Sequence, residues 1–306
     1  SNSVFRGLGR TDIPMIIALV VNVINVVGDF VLVYGLWGFP RMEVAGAAAA
    51  TSAAHGVGFI LAIIFLFRGN SDLHVNLDSI LKINLSTYRK IFNLGIPSLT
   101  ENFFFTAANL LSMFLIVHVG TLAFASHELA IVVESVSYMP GFGIAIAATA
   151  LVGQAVGAQN RIALQKAARG SIEFSMFFMS IFTLVFALFP YQIAGLFTND
   201  RHVIAISAIL IRIAAMEQVG IALCSVIGGI LKGAGDTRTP MIISTAFTWL
   251  YRLPLMYLFI RVWEFPISYV WLLFVSDWTW RALTFIIIYR RKKWLRKALP
   301  HVVNER

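Results

Sequence analysis

Residues 5–40 read FRGLGRTDIPMIIALVVNVINVVGDFVLVYGLWGFP, and residues 231–266 read LKGAGDTRTPMIISTAFTWLYRLPLMYLFIRVWEFP. Laid over each other at a constant offset of 226, without a gap, the two stretches share eleven of 36 residues. The matches include Gly7/Gly233, Gly9/Gly235, Thr11/Thr237, Pro14/Pro240, Trp37/Trp263, Phe39/Phe265 and Pro40/Pro266. Each copy is a basic, glycine-rich turn, a proline that opens a helix, about 20 mostly apolar residues and an aromatic-proline exit. Apolar matches between two membrane helices carry little weight. Gly-x-Gly-x-Thr-x-x-Pro and Trp-x-Phe-Pro do carry it, and they point to an internal duplication of the kind found in membrane transporters.

Composition agrees. The chain is 58% hydrophobic and 13% charged, with a mean hydropathy of +0.80, whereas soluble domains are about a quarter charged. The hydropathy pattern cuts it into eight apolar segments, near 13–34, 44–67, 95–119, 125–156, 171–190, 203–230, 239–260 and 266–289. Each is long enough to cross a hydrocarbon core of about 30 Å. The expected fold is all-α and polytopic: eight transmembrane helices of a twelve-helix, two-lobe bundle built from parallel repeats. Four helices precede the second copy of the motif, so a matching first half implies four more ahead of Ser1. The expected division is 1–67 for the remainder of one lobe, 68–94 for a cytoplasmic linker, 95–289 for a six-helix lobe and 290–306 for a basic tail.

The net charge of +9 follows from topology rather than from a nucleic-acid partner. With the N-terminus inside, eighteen Lys and Arg side chains fall on the cytoplasmic side and three outside, which is the positive-inside bias. Both termini are then cytoplasmic, in the plasma (cytoplasmic) membrane. A single Cys224 excludes an intramolecular disulfide and a cysteine metal cluster. The glycines at Gly228-Gly229-x-x-x-Gly233-x-Gly235 follow a helix and lack a Lys-Ser/Thr pair, so no nucleotide loop is implied. No soluble-enzyme constellation is present, and a zinc helix of the His-Glu-x-x-His type is absent from the sequence. The reading is a transporter, not an enzyme, without a cofactor other than a coupling ion.

Polar residues inside apolar spans carry the functional signal, because an ionised group at the bilayer centre costs at least about 2.5–3.5 kcal/mol. Asn22, Asn25 and Asp29 share one face of the first helix. The second opens with the small-residue run Gly46 to Thr51, which lets a neighbouring backbone approach closely, and carries His55, read as a packed, hydrogen-bonded side chain. Between 68 and 94, Leu77, Ile80, Leu81, Tyr88, Ile91 and Phe92 recur at helical spacing. They predict an amphipathic helix on the inner membrane surface. The third span bears Glu101, Asn102 and Asn109. The fourth bears Glu134 and Tyr138, and an interruption is expected at Met139-Pro140-Gly141. Asp277 and Arg281 lie four apart and predict a structural pair. Arg212 and Glu217 are out of phase, so each needs a partner elsewhere. Asp29, Glu101 and Glu134 have no basic neighbour in sequence, which leaves ion or proton work and a water-facing packing role as alternatives for each.

Leu231 to Pro240, its earlier copy at Phe5 to Pro14, Val152-Gly153-Gln154-x-x-Gly157-Ala158, and Asn25-x-x-x-Asp29 followed by Gly46-Ala-Ala-x-Ala-Thr51 together resemble the multidrug and toxin extrusion (MATE) transporters. The resemblance runs through the whole chain, across the fifth to twelfth helices of that family. It implies a V-shaped pair of lobes that exports small organic cations and amphipathic drugs in exchange for H+ or Na+, as a monomer in the lipid bilayer. Carried over by position, Asn25, Asp29 and Thr51 match the cation-coupling site of the DinF-type branch, with Na+ an alternative occupant at Asp29. The sodium site of the NorM-type branch fits less well, since Ile221 stands where that branch has an Asp and Glu217 lies one turn away. Glu101, Asn102, Asn109, Glu134, Tyr138 and Glu217 are candidates for the substrate or ion cavity. Two rival readings are a lipid-linked oligosaccharide flippase of the same superfamily, which needs an Arg- and Lys-rich cavity that Arg212, Arg252 and Arg281 do not supply, and a non-transporting scaffold or inactive fragment.

Overall fold

The computed structural model describes residues 2–67 and 84–299. Among these residues eight helices are long and apolar enough to cross a membrane. In chain order the helices are α1 (Asn2–Gly7), α2 (Asp12–Tyr34), α3 (Glu43–Phe67), α4 (Leu85–Val117), α5 (Thr121–Gly157), α6 (Arg161–Leu188), α7 (Pro190–Gly195), α8 (Arg201–Gly233), α9 (Arg238–Val262), α10 (Ile267–Arg290) and α11 (Lys293–Ala298). The protein is an integral membrane protein, all-helical over the described residues. It divides into two compact units, one up to Tyr88 and one from Arg89 onward.

The duplicated turn is the same object in both units. Gly9 and Gly235 adopt left-handed φ of 79° and 86°, a conformation that glycine reaches without a Cβ penalty. The amide of Arg10 donates to the carbonyl of Phe5 at 2.9 Å, and that of Asp236 to Leu231 at 2.9 Å. Gly9 donates to Arg6 at 3.1 Å, and Gly235 to Lys232 at 3.0 Å. This is a helix C-terminus closed by a Schellman-type pair of bonds, and the next helix begins three residues later at Asp12 and Arg238.

In the first unit α2 and α3 pack through small residues. A Cβ on Gly46 would lie 2.7 Å from the Leu32 carbonyl, and one on Gly28 would lie 2.9 Å from Ala50 Cβ. The small-residue surface read from the sequence is therefore a contact face. His55 departs from expectation: it is exposed on α3. Trp37, in the exit loop, is 81% exposed.

The second unit holds two apolar cores, one at each end of its helices. One gathers Val152, Leu164, Ile230, Leu231, Phe285, Trp294 and Leu295 from α11, and Leu299 just after it. The other gathers Val133, Phe186, Leu210, Met256, Val270 and Trp271. Along α5, α8, α9 and α10 alike, the polar and charged residues Glu134, Glu217, Thr248, Arg252, Asp277 and Arg281 fall between these two sets, and all are buried. Glu217 is the central residue of α8. The polar layer thus lies at mid-span, sandwiched by hydrocarbon-like packing.

Several local expectations change. The third span does not start at Gly95: α4 begins at Leu85 and runs through Pro97. Tyr88, Ile91 and Phe92 therefore belong to the first turns of a spanning helix rather than to a surface helix, while Leu77, Ile80 and Leu81 lie outside the described residues. The helix is likewise unbroken at Pro140, since α5 continues to Gly157. A proline removes one ladder bond, but opening the helix in an apolar setting would strand several more. The first half of the expected basic tail is folded, with α11 contributing Trp294 and Leu295 to the core. The departure from α geometry occurs elsewhere: α9 contains π-helical turns at Phe247–Arg252 and Leu258–Val262. Pro254 explains the first. Its missing N–H leaves the Leu250 carbonyl without its usual donor and its ring crowds that carbonyl, so the ladder widens just ahead of it.

Candidate functional site: polar clusters at mid-span

In the first unit, Asn25 Nδ2 donates to Thr51 Oγ1 at 3.1 Å across the α2–α3 contact. The close approach at Gly28 and Gly46 puts the two side chains within reach. Asp29 lies one turn further along α2, and its Oδ1 is buried without a hydrogen-bond partner. The structure therefore pairs Asn25 with Thr51, and Asp29 follows one turn along the same face of α2.

In the second unit, the predicted Asp277–Arg281 pair is present: Arg281 Nη2 donates to Asp277 Oδ2 at 2.6 Å. It is part of something larger. Arg252 Nε reaches the same oxygen at 3.0 Å, and Arg281 Nη2 also donates to Thr248 Oγ1 at 3.1 Å. The Arg252 guanidinium lies 4.6 Å over the Phe274 ring and that of Arg281 4.8 Å over Trp278, so aromatic faces hold both cations. Arg252 and Arg281, read as scattered, thus converge on one carboxylate, while Arg212 is exposed. The two converging arginines are spent on Asp277, and they form no open phosphate cradle.

Glu217 finds its partner on another helix, and the partner is an acid. The carboxyls of Glu134 and Glu217 face each other in this buried layer, with Arg252 the positive charge near both. Tyr138 packs with Met179, Ile221, Ala222 and Trp278 beside this layer. Ile221 is 3% exposed in that apolar cluster.

A cavity of about 250 Å³ opens within this unit between α4, α5, α8, α9 and α10. Glu101 and Asn102 line it, together with Lys232, Thr248, Trp278 and Arg281. Lys232 Nζ sits 2.8 Å from Glu101 Oε2, so Glu101 does have a basic partner, brought by the fold from the end of α8. Asn102 Nδ2 is turned back to the Ser98 carbonyl at 3.0 Å. Asn109 is exposed, away from the cavity lining.

Sequence reading missed Arg252 and Lys232 as members of these clusters. One signal was available for the first: the offset of 226 carries Asn25 onto Tyr251 and Thr51 onto Asp277. The helix pair that brings 25 to 51 in one unit brings 251 and 252 to 276 and 277 in the other, where Tyr251 Oη lies 3.1 Å from Ser276 Oγ. Nothing comparable pointed to Lys232 and Glu101. Among the described residues no cluster of three His, Cys, Asp or Glu has the arrangement of a metal centre.

Residues 97–258, more than half of the chain, match the MatE family. A probable multidrug resistance protein NorM of Thermotoga maritima is 31% identical over 299 residues, covering 97% of this chain and 64% of that protein. The uncharacterized transporter YisQ of Bacillus subtilis is 25% identical over 298 residues, covering 97% and 65%. A solved MOP-superfamily transporter from Pyrococcus furiosus superposes with a TM-score of 0.86 at 19% identity, over 96% of this chain and 65% of that one. A MATE structure in the bent conformation gives 0.86 at 20% identity, over 97% and 65%. At such identities the structural likeness is one of fold, and the chain spans just under two thirds of the length of these relatives. With the match running from α4 into α9 and the glycine turn present in both units, the chain belongs to the MATE (MatE) family of membrane transporters.

Proposed function

We propose that the protein is a secondary active exporter that moves small organic cations and amphipathic drugs across the cytoplasmic membrane in exchange for H+ or Na+. Its termini face the cytoplasm, a reading that the distribution of Lys and Arg supports. Relatives named as multidrug resistance proteins support the substrate class. What carries the coupling half of the reading is the buried acid pair at mid-span: Glu134 and Glu217 are both buried in one polar layer between the two apolar cores. An acid buried at the depth where a charge is most costly is a natural proton carrier in an antiport cycle. Asn25, Asp29 and Thr51 form the second coupling site, by the DinF-type resemblance. Alternating exposure of the cavity then excludes drug and ion from being bound together, and no further cofactor enters.

The test is efflux of a fluorescent cation from cells lacking their own pumps. Wild-type protein should lower intracellular dye, and collapse of the ion gradients should abolish the effect. Glu217→Gln should uncouple efflux from the gradient while leaving the protein in the membrane. Gradient-independent efflux by the wild type would overturn the antiport reading. The flippase alternative is disfavoured because Arg252 and Arg281 are both engaged by Asp277.

A further inference from the structure

The cavity in the second unit has an aromatic wall and a single unshared acid–base pair at its edge. Phe104, Phe105, Phe142, Trp278 and Phe285 line it. Of the charged groups facing it, Arg281 is paired with Asp277 at 2.6 Å. That leaves Glu101 and Lys232, whose ammonium lies 2.8 Å from the carboxylate, with side chains 17% and 32% exposed. The contact is one of charge: Glu101 Oε2 is buried but outside hydrogen-bonding geometry with any partner. An acceptor of that kind, beside π faces, is built for a cation, and Lys232 already supplies one.

The two residues differ in how firmly they are held. The end of α8 is clamped to α5: a Cβ on Gly229 would strike the Ala145 carbonyl, and one on Gly233 would strike the Thr149 backbone. The Lys232 backbone is thereby fixed, one residue ahead of Gly233. Its side chain is a flexible four-carbon stem with a strongly hydrated head. The ammonium can swing out to water with no movement of a helix, whereas Glu101, the less exposed partner, stays facing the cavity.

We propose that Lys232 is a tethered counter-cation that occupies Glu101 while the cavity is empty, and that a monovalent aromatic cation enters by exchanging with it. Lys232 is thus a specificity-determining residue: it sets a threshold that only cations able to replace an ammonium can cross, and it hides the acid from neutral and anionic compounds. This rests on the reading that the protein handles organic cations. It adds what limits their binding.

Three ligands of one shape test it on the intact protein in lipid nanodiscs, by equilibrium binding: N-methyl-phenylpyridinium, uncharged methylbiphenyl and biphenyl carboxylate. Lys232→Gln should tighten the pyridinium by about tenfold and leave methylbiphenyl unchanged. Glu101→Gln frees the ammonium instead, so it should weaken the pyridinium by about tenfold and let the carboxylate bind. The exchanged pair, Glu101→Lys with Lys232→Glu, should return near wild-type selectivity and shows that the single variants act through charge rather than through misfolding. The inference fails if Lys232→Gln weakens or does not change pyridinium binding, or if both single variants shift all three ligands alike. These affinities are read without transport. Charge-inverted binding with no efflux by the wild type would overturn the exporter reading alone, and efflux with an unresponsive Lys232→Gln would overturn this inference alone.

Discussion

Asn25 and Thr51 meet at 3.1 Å, and the repeat's offset of 226, continued past Pro40, carries them onto Tyr251 and Asp277. The same helix–helix contact thus holds a neutral hydrogen bond in one unit and a charged triad in the other. Arg252 joins Asp277 at 3.0 Å, where Val26 is the repeat-related residue.

Asp277 is the centre of that triad, because one of its oxygens lies 3.0 Å from Arg252 Nε and 2.6 Å from Arg281 Nη2. Asp277→Ala should cost about 3–5 kcal/mol, the usual penalty for stranding buried charge. Replacing all three, Asp277→Leu with Arg252→Met and Arg281→Met, should recover most of the loss. Cys224 is the sole cysteine and is buried, so its rate of labelling by a thiol dye during thermal unfolding reads both. A loss below about 1 kcal/mol for the single variant would show that the triad is not buried as described.

The repeated turn makes a matched pair of predictions. Gly9→Ala and Gly235→Ala each force an L-residue to a φ near 79° or 86°, at about 1–2 kcal/mol. Melting temperatures of the purified variants should fall by similar amounts. A turn that tolerated alanine in only one copy would contradict the equivalence of their backbone geometry.

Two glycines on neighbouring helices should behave oppositely. A Cβ on Gly233 would sit 2.5 Å from the Thr149 carbonyl and 3.1 Å from its Cα, both backbone atoms. Gly233→Ala should therefore destabilise by about 1–3 kcal/mol. Gly170, within α6, has nothing within 4 Å of its would-be Cβ. Gly170→Ala should stabilise by up to about 1 kcal/mol through helix propensity, and the same thermal assay distinguishes the two.

Asp29 carries an unpartnered buried oxygen one turn from Asn25. Asp29→Asn removes the acid and keeps the shape, so under the proposed exporter function the drug resistance of expressing cells should drop to the level of cells without the protein, at unchanged expression. Thr51→Val, which removes only the hydrogen bond to Asn25, should cost about 1 kcal/mol of stability. Resistance that survived Asp29→Asn would remove that residue from the coupling cycle.

The amino-acid sequence by itself determined the eight spanning helices, the duplicated glycine turn and the Asp277–Arg281 pair. Each of these is set by interactions within a few residues: apolar length against a bilayer, a left-handed glycine, and side chains four apart on one helix face. Its prolines misled at Pro97 and Pro140, since a lost ladder bond does not break a helix whose surroundings offer no other partner for the rest. Only the tertiary structure decided that Arg252 joins Asp277, that Glu134 meets Glu217, and that Lys232 covers Glu101. Those pairs lie on helices distant in the chain. Their meeting depends on the depth and rotation at which each helix packs, which close glycine contacts and a π turn set and hydropathy does not register.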